Sequence, residues 1–178
     1  IHAQAFSDVD RCEQQPDEAE TMNVRTTAHL LDALRSTPAW LVYFSTDYVF
    51  DGTKGRPYDE TDPPNPLSVY GRTKLAAERL ALGRPQAMVV RLSTLYGAGR
   101  NTFCDQVVER LRSGQFIEAF MDQTTSPSFT DDVAGGIGDL LNAVRRPELP
   151  GRILHLVNAG GCSRVEWWTT TCASLAPR

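Results

Sequence analysis

The feature that most constrains this chain is a spacing. Three short runs rich in apolar, β-branched and aromatic residues, WLVYFST (40–46), AMVVRLST (87–94) and RILHLVN (152–158), are separated by segments long enough for helices. Apolar runs of this length suit strands buried on both faces. Between and around them the periodicity changes. TMNVRTTAHLLDALRS (21–36) sets Met22, Leu30, Leu31 and Leu34 near one face of a helix. Asn65-Pro66 can cap and open a second helix running to Leu82, where Gly83 and Pro85 stop it. CDQVVERLRSG (104–114) reads as a third, Asp131 or Asp132 can cap a fourth reaching Arg146, and Ser163 can open a last one. IHAQA (1–5) looks like the end of a strand. Alternation of this kind dictates βαβ units and a mainly parallel sheet, the doubly wound α/β class.

In open parallel sheets, ligands sit at the carboxyl ends of the strands. The run 40–46 ends in Ser45 and Thr46, followed by Asp47 and Tyr48, so this polar cluster faces the crevice. Hydroxyls at strand ends also serve simply to satisfy loop backbone groups, and both uses stay open here. A loop broken by Gly52, Gly55, Pro57, Pro63 and Pro64 follows. Beyond it, Tyr70 and Lys74 stand four apart and share a helix face. Alone, the pair reads equally well as a surface tyrosine beside a solvated lysine. With a hydroxyl at the strand end, it can surround one carbonyl group. A free phenol titrates near about 10 and is a poor acid–base group at neutral pH. An ammonium one turn away favours the phenolate and lowers that value, so the tyrosine can exchange a proton with a substrate oxygen. The threonine hydroxyl would hold the same oxygen in place.

Composition narrows the partners. The 178 residues are 41% hydrophobic and 22% charged, with a formal net charge of −4, which is ordinary globular usage. Lys and Arg are scattered, so neither nucleic acid nor an anionic membrane is expected as a partner. No apolar run has the length needed to span a bilayer. Cys12, Cys104, Cys162 and Cys172 lie far apart and form no C-x-x-C, which suits free thiols in a reducing cytoplasm. None of His2, His29 and His155 is spaced with a cysteine as a zinc site requires, so no metal is expected.

Several stretches then carry a resemblance. FSTDYVFDG (44–52), PYDETDPPNPLSVYGRTKLAAE (57–78), VVRLSTLYG (89–97), DQTTSPSFTDDVA (122–134) and, more weakly, SDVDRCEQQPDEAETMNV (7–24) resemble the extended short-chain dehydrogenase/reductases. Within them, the similarity is to the dTDP-4-dehydrorhamnose reductase group. The resemblance implies a Rossmann-like fold, NADPH or NADH as cofactor, and a nucleotide-sugar substrate. The reaction implied is reduction of a 4-keto-6-deoxy nucleotide sugar for surface polysaccharide synthesis, in the cytoplasm, with a homodimer left open.

Residue by residue, the resemblance makes Thr46 the carbonyl-orienting hydroxyl and Tyr70 the general acid. Lys74 would lower the tyrosine's pKa and bind the nicotinamide ribose. Asp47 and Tyr48 would line the substrate pocket. Ala3, Gln4 and Ala5 match a strand end that passes the cofactor, and Ser7 and Val9 match positions near cofactor and sugar. Thr94 stands where these reductases commonly carry a tryptophan against the sugar. Arg100, Asn101 and Gln123 can meet a diphosphate or nucleotide, although such residues are usually solvated. Residues 1–97 read as the C-terminal half of a Rossmann-type dinucleotide-binding domain, and 98–178 as a small substrate-binding part partly interleaved with the sheet.

One part of the pattern is not in the sequence. No G-x-x-G-x-x-G is present, and GAGR (97–100) follows a later strand without opening a helix at once. Roughly sixty residues, two βα units of the dinucleotide fold, are therefore expected upstream. The C-terminus is expected to continue beyond Trp167 and Trp168. The chain alone is expected to bind dinucleotide poorly and to be inactive. Two further functions stay open. One is an epimerase or dehydratase of the same fold, with Asp47 as an extra acid–base group. The other is a non-catalytic regulatory subunit similar to the methionine adenosyltransferase β-subunit, which shares the YVFDGT stretch (48–53).

Overall fold

A computed structural model describes residues 1–99, 103–116, 121–144 and 151–175. In chain order they form α1 (Val9–Gln14), α2 (Pro16–Glu20), a π-helical turn (Thr21–Arg25), α3 (Thr26–Leu34), β1 (Leu41–Thr46) and a 3-10 turn (Asp47–Val49). Next come α4 (Val69–Leu82), β2 (Ala87–Leu92), β3 (Leu95–Tyr96), α5 (Phe103–Arg112), β4 (Thr124–Thr125) and β5 (Ser128–Phe129). The last elements are α6 (Thr130–Ala143), β6 (Ile153–His155), β7 (Cys162–Ser163) and α7 (Arg164–Leu175). They divide into two units: Ile1–Leu92 with Asn142–Leu156, and Ser93–Leu141 with Val157–Arg178.

The first unit holds a parallel sheet of order β1-β2-β6, pairing Leu41 with Ala87 through Thr46 with Leu92, and Val89 with Ile153 through Arg91 with His155. The fold is thus α/β with a mainly parallel sheet that is incomplete. The expected strand at 1–5 is a single parallel bridge, His2 to Tyr43, on the other side of β1. Side chains alternate across the sheet. Leu41 and Tyr43 of β1 and Ala87 and Val89 of β2 pack on Ala77 and Ala81 of α4, with Leu30, Leu31, Leu34, Leu82 and Ile153 around them. The small alanines let α4 lie close to the strands, and Tyr43 fills the remaining space at 1% exposure.

Element boundaries differ from the sequence reading in instructive ways. The helix expected to open at Asn65-Pro66 opens instead after Ser68, whose Oγ accepts the Gly71 N–H at 3.0 Å. Asn65 is engaged elsewhere: its amide donates to Asp51 at 2.8 Å. That carboxylate organises the whole loop, also accepting from the Thr53 N–H at 3.0 Å, the Thr53 hydroxyl at 2.8 Å and the Tyr58 hydroxyl at 2.7 Å. Lys54 pairs with Asp62, and Phe50 stacks on Tyr58 with ring centres 4.2 Å apart. Glu60 accepts the His155 N–H at 2.8 Å, fastening the loop to β6. The helix expected over 21–36 begins as the π-helical turn and ends at Leu34. The fourth helix opens at Thr130, just before the two aspartates, and its expected end at Arg146 lies outside the described residues.

In the second unit β3 pairs with β5 in parallel and β4 with β7 antiparallel. The expected opening at Ser163 is there as a reciprocal cap. Its Oγ accepts the Glu166 N–H at 3.1 Å, and the Glu166 carboxylate accepts the Ser163 N–H at 2.7 Å. Among the described residues, no helix is long and apolar enough to cross a membrane.

Candidate active site

At the carboxyl end of β1 the chain turns sharply into the 3-10 turn, with Thr46 as its cap. The Thr46 Oγ accepts the Tyr48 N–H at 3.2 Å and donates to Asp47 Oδ1 at 3.1 Å. The plain reading of this hydroxyl, that it satisfies loop backbone, is therefore correct as far as it goes. Ser45 does no such work: its Oγ is buried without a hydrogen-bond partner.

The same hydroxyl also reaches α4. The Thr46 hydroxyl is among the groups that act on the Tyr70 phenol, and the Tyr48 ring meets the Tyr70 ring edge-on with centres 5.7 Å apart. Gly71 makes this approach feasible, because the Tyr48 carbonyl sits where a side chain at 71 would begin. One turn further along α4, Lys74 is 3% exposed. Its Nζ donates to the Phe44 carbonyl at 2.6 Å and stands 4.3 Å from the centre of the Tyr43 ring.

The electrostatics correct one expectation. Tyr70 is not made more acidic: burial pushes its phenol up to about 12, against a smaller lowering by the Thr46 hydroxyl. Asp47, Cys12 and Tyr48 raise it further. Lys74 itself is pulled down to about 8 by burial, opposed by Glu78. The expected lowering of Tyr70 by Lys74 is outweighed because the phenol is desolvated and the ammonium is bonded to a backbone carbonyl.

The segment expected to pass the cofactor leaves the sheet after His2, whose N–H donates to the Val42 carbonyl at 2.8 Å. Ala3 and Gln4 are exposed, Ala5 and Ser7 half-buried, and Val9 is the first residue of α1. This segment is tied to α4 through Asn23 in the π-helical turn. The Asn23 side chain accepts the Phe6 N–H at 2.8 Å and donates to the Phe6 carbonyl at 3.1 Å and the Thr73 hydroxyl at 3.0 Å. Thr46, Asp47, Tyr48, Tyr70 and Lys74 are thus gathered in the first unit, with Ala3–Ser7 tethered to the same helix. Thr94 and the half-buried Gln123 belong to the second unit, where the Thr94 carbonyl accepts the Ser128 N–H at 2.9 Å. Arg100 and Asn101 lie outside the described residues.

Residues 1–174 match the family model described as the RmlD substrate binding domain. The chain belongs to that family. Among curated relatives of this RmlD-family chain, it is 38% identical over 170 residues to the dTDP-4-dehydrorhamnose reductase of Mycobacterium tuberculosis, covering 92% of the chain and 55% of the relative. To the Salmonella typhimurium protein of the same name it is 35% identical over 163 residues, covering 90% of the chain and 54% of the relative. A solved Bacillus anthracis dTDP-4-dehydrorhamnose reductase in complex with NADP superimposes with a TM-score of 0.90 at 31% identity, covering 98% of the chain and 60% of that structure. The chain therefore spans about half the length of the curated relatives it matches.

Three residues around this RmlD-family site escaped the sequence reading: Asn23, Glu78 and Arg91. Arg91 had a signal, since a charge inside the apolar run AMVVRLST requires a buried partner. Glu78 had one too, standing one turn beyond Lys74 on the same stripe as Tyr70. Asn23 had none, because a π-helical turn sets which side it faces.

Proposed function

We propose that this chain carries the proton-transfer machinery of an NAD(P)H-dependent reductase acting on a 4-keto-6-deoxy nucleotide sugar, of the dTDP-4-dehydrorhamnose reductase kind. The observation that carries the reading is the close approach of α4 to the turn that Thr46 caps at the carboxyl end of β1, with the Tyr70 ring against Tyr48 and the buried Lys74 one turn along. In it, Tyr70 is protonated at neutral pH and gives its proton to the substrate's carbonyl oxygen. Thr46 holds that oxygen once its hydroxyl turns from Asp47 to the substrate, so the developing negative charge meets two donors. Lys74 supplies the positive charge that steadies the phenolate left behind.

The donor set fits the ribose end of a nicotinamide cofactor. An ammonium has three N–H donors, and Phe44 takes one, leaving two for ribose hydroxyls. NAD(P)H, when bound, supplies the hydride. Asp47 and Tyr48 line the sugar side. The cytoplasm is the compartment we infer, with a homodimer as the assembly kept open.

A second reading has one observation in its favour. The Asp47 carboxylate accepts from the Thr46 hydroxyl, placing an acid–base group beside the triad as an epimerase or dehydratase would need. Product analysis separates the two: a reduced sugar against an isomerised or dehydrated one. For the reductase, assayed as the whole protein, Tyr70→Phe keeps the ring and removes only the proton donor. Turnover should fall by about 10²–10⁴-fold with KM nearly unchanged. A variant that retains most of its turnover removes Tyr70 from the chemistry. A whole protein with no turnover on any nucleotide sugar favours the regulatory-subunit reading instead.

A further inference from the structure

Lys74 is held as a cation in a place that disfavours one. It is 3% exposed, and burial drags its pKa down to about 8, close enough to neutrality that a modest further loss would discharge it. The charged and titratable groups around it are few. His2, itself lowered by burial and by Lys74, is uncharged at neutral pH, and the Tyr43 phenol is pushed upward by burial. Tyr70, one turn earlier, stays protonated, and the groups acting on it include Asp47 and Cys12. Against burial stands one carboxylate, Glu78, one turn later on α4 and 1% exposed.

Glu78 is itself fixed. Its two oxygens accept from Arg91 Nε at 2.9 Å and Nη2 at 2.8 Å, a two-point pairing from α4 to β2. The guanidinium lies over the Phe50 ring, 5.1 Å from its centre, which holds it from the loop side. A carboxylate this deeply buried needs partners for its oxygens, and Arg91 supplies one to each.

We propose that the Glu78–Arg91 pair is a positioning device for the site, holding one negative charge a fixed helical turn from Lys74 so that the buried ammonium stays charged. The inference rests on the reductase reading, in which Lys74 works as a cation, and it adds two residues that touch neither substrate nor cofactor. A bare structural clamp between α4 and β2 predicts loss of stability on breaking the pair but no change in how Lys74 titrates.

The test is an NMR titration of the Lys74 Nζ in the ¹⁵N-lysine-labelled protein, assigned by its loss in Lys74→Met. It needs no turnover, so its result stands whether or not the reductase reading holds. In Glu78→Gln the Lys74 midpoint should fall by about one unit or more, because the opposing charge is gone while the side chain keeps its shape. Glu78→Asp, which keeps the charge, should restore most of the parent value. Should Glu78→Gln not fold, Glu78→Met combined with Arg91→Met replaces the pair by apolar side chains of similar size, a change buried pairs often tolerate. The midpoint should fall there by a smaller amount, because the Arg91 charge leaves together with the nearer Glu78 charge. An unchanged midpoint in Glu78→Gln, or in the double variant, overturns the proposal.

Discussion

Replacing Asn23 by alanine removes the side chain that joins the strand end at residues 3–7 to the helix bearing Tyr70 and Lys74. Three hydrogen bonds go at once: from the Phe6 N–H, to the Phe6 carbonyl and to the Thr73 hydroxyl. Not all partners are left equally bare. The Phe6 carbonyl keeps the Cys12 thiol at 3.4 Å, and the Thr73 hydroxyl keeps its bond to the Tyr70 carbonyl at 2.9 Å. The Phe6 N–H loses its side-chain acceptor. Three bonds at roughly 1 kcal/mol each, with one backbone donor left unmatched, give a loss of about 2–4 kcal/mol. That is a large share of the roughly 5–15 kcal/mol that holds a domain folded. In urea, with a slope of about 2 kcal/mol per molar, the midpoint should drop by about 1–2 M with the slope unchanged. Asn23→Asp is a sharper control: it keeps the acceptor but loses both donations and buries a charge, so it should be at least as damaging. A loss below about 1 kcal/mol in Asn23→Ala would mean that these bonds do not join the two segments, and the reasoning fails.

Gly71→Ala should destabilise by about 1–3 kcal/mol, since a Cβ there overlaps the Tyr48 carbonyl oxygen and crowds Pro66; unfolding in urea reads it, and a neutral result contradicts the close approach of α4 to the 3-10 turn. Lys74 gives a pH signature: its pKa is about 8 folded against 10.5 for the free side chain. Below about 8 both states carry the charge and the cost of burying it is fully present, whereas between the two values only the unfolded state stays protonated. The Lys74 contribution should therefore make the protein more stable as pH rises through that window, by at most about 1.4 kcal/mol per pH unit. Comparing wild type with Lys74→Met across the window isolates it, and equal slopes in the two proteins refute the assignment.

Much of the fold could be read from the chain because burial leaves a simple mark on strands. WLVYFST and AMVVRLST lie on both-face-buried β1 and β2, and their hydrophobicity has no other use. Thr46, Tyr70 and Lys74 could be read as a group because a strand end and a helical period of four place them without tertiary detail. What could not be read depended on side chains reaching across the structure. The start of α4 moved from Asn65 to Ser68 because Asp51, fourteen residues earlier, claims the Asn65 amide. The Tyr70 pKa went up rather than down because desolvation is a property of packing, which spacing along one helix does not report. Asn23 was hidden by the π-helical turn that turns it inward, and the two-residue ladders β3–β5 and β4–β7 are too short to imprint any period.

The Glu60 bond to the His155 N–H bears on how the molecule behaves in company. Among the described residues β6 is the last strand of its sheet, with Leu156 donating inward to Arg91, so the His155 N–H points away from the sheet. A row of outward amides is a template on which another chain's strand can grow. The loop carboxylate occupies that amide and lays a negative charge along the border, which a second strand edge would have to displace. The loop bearing Glu60 follows directly on the residues that line the candidate site. The bond that fastens the loop therefore also covers the border, and anything that frees Glu60 uncovers it.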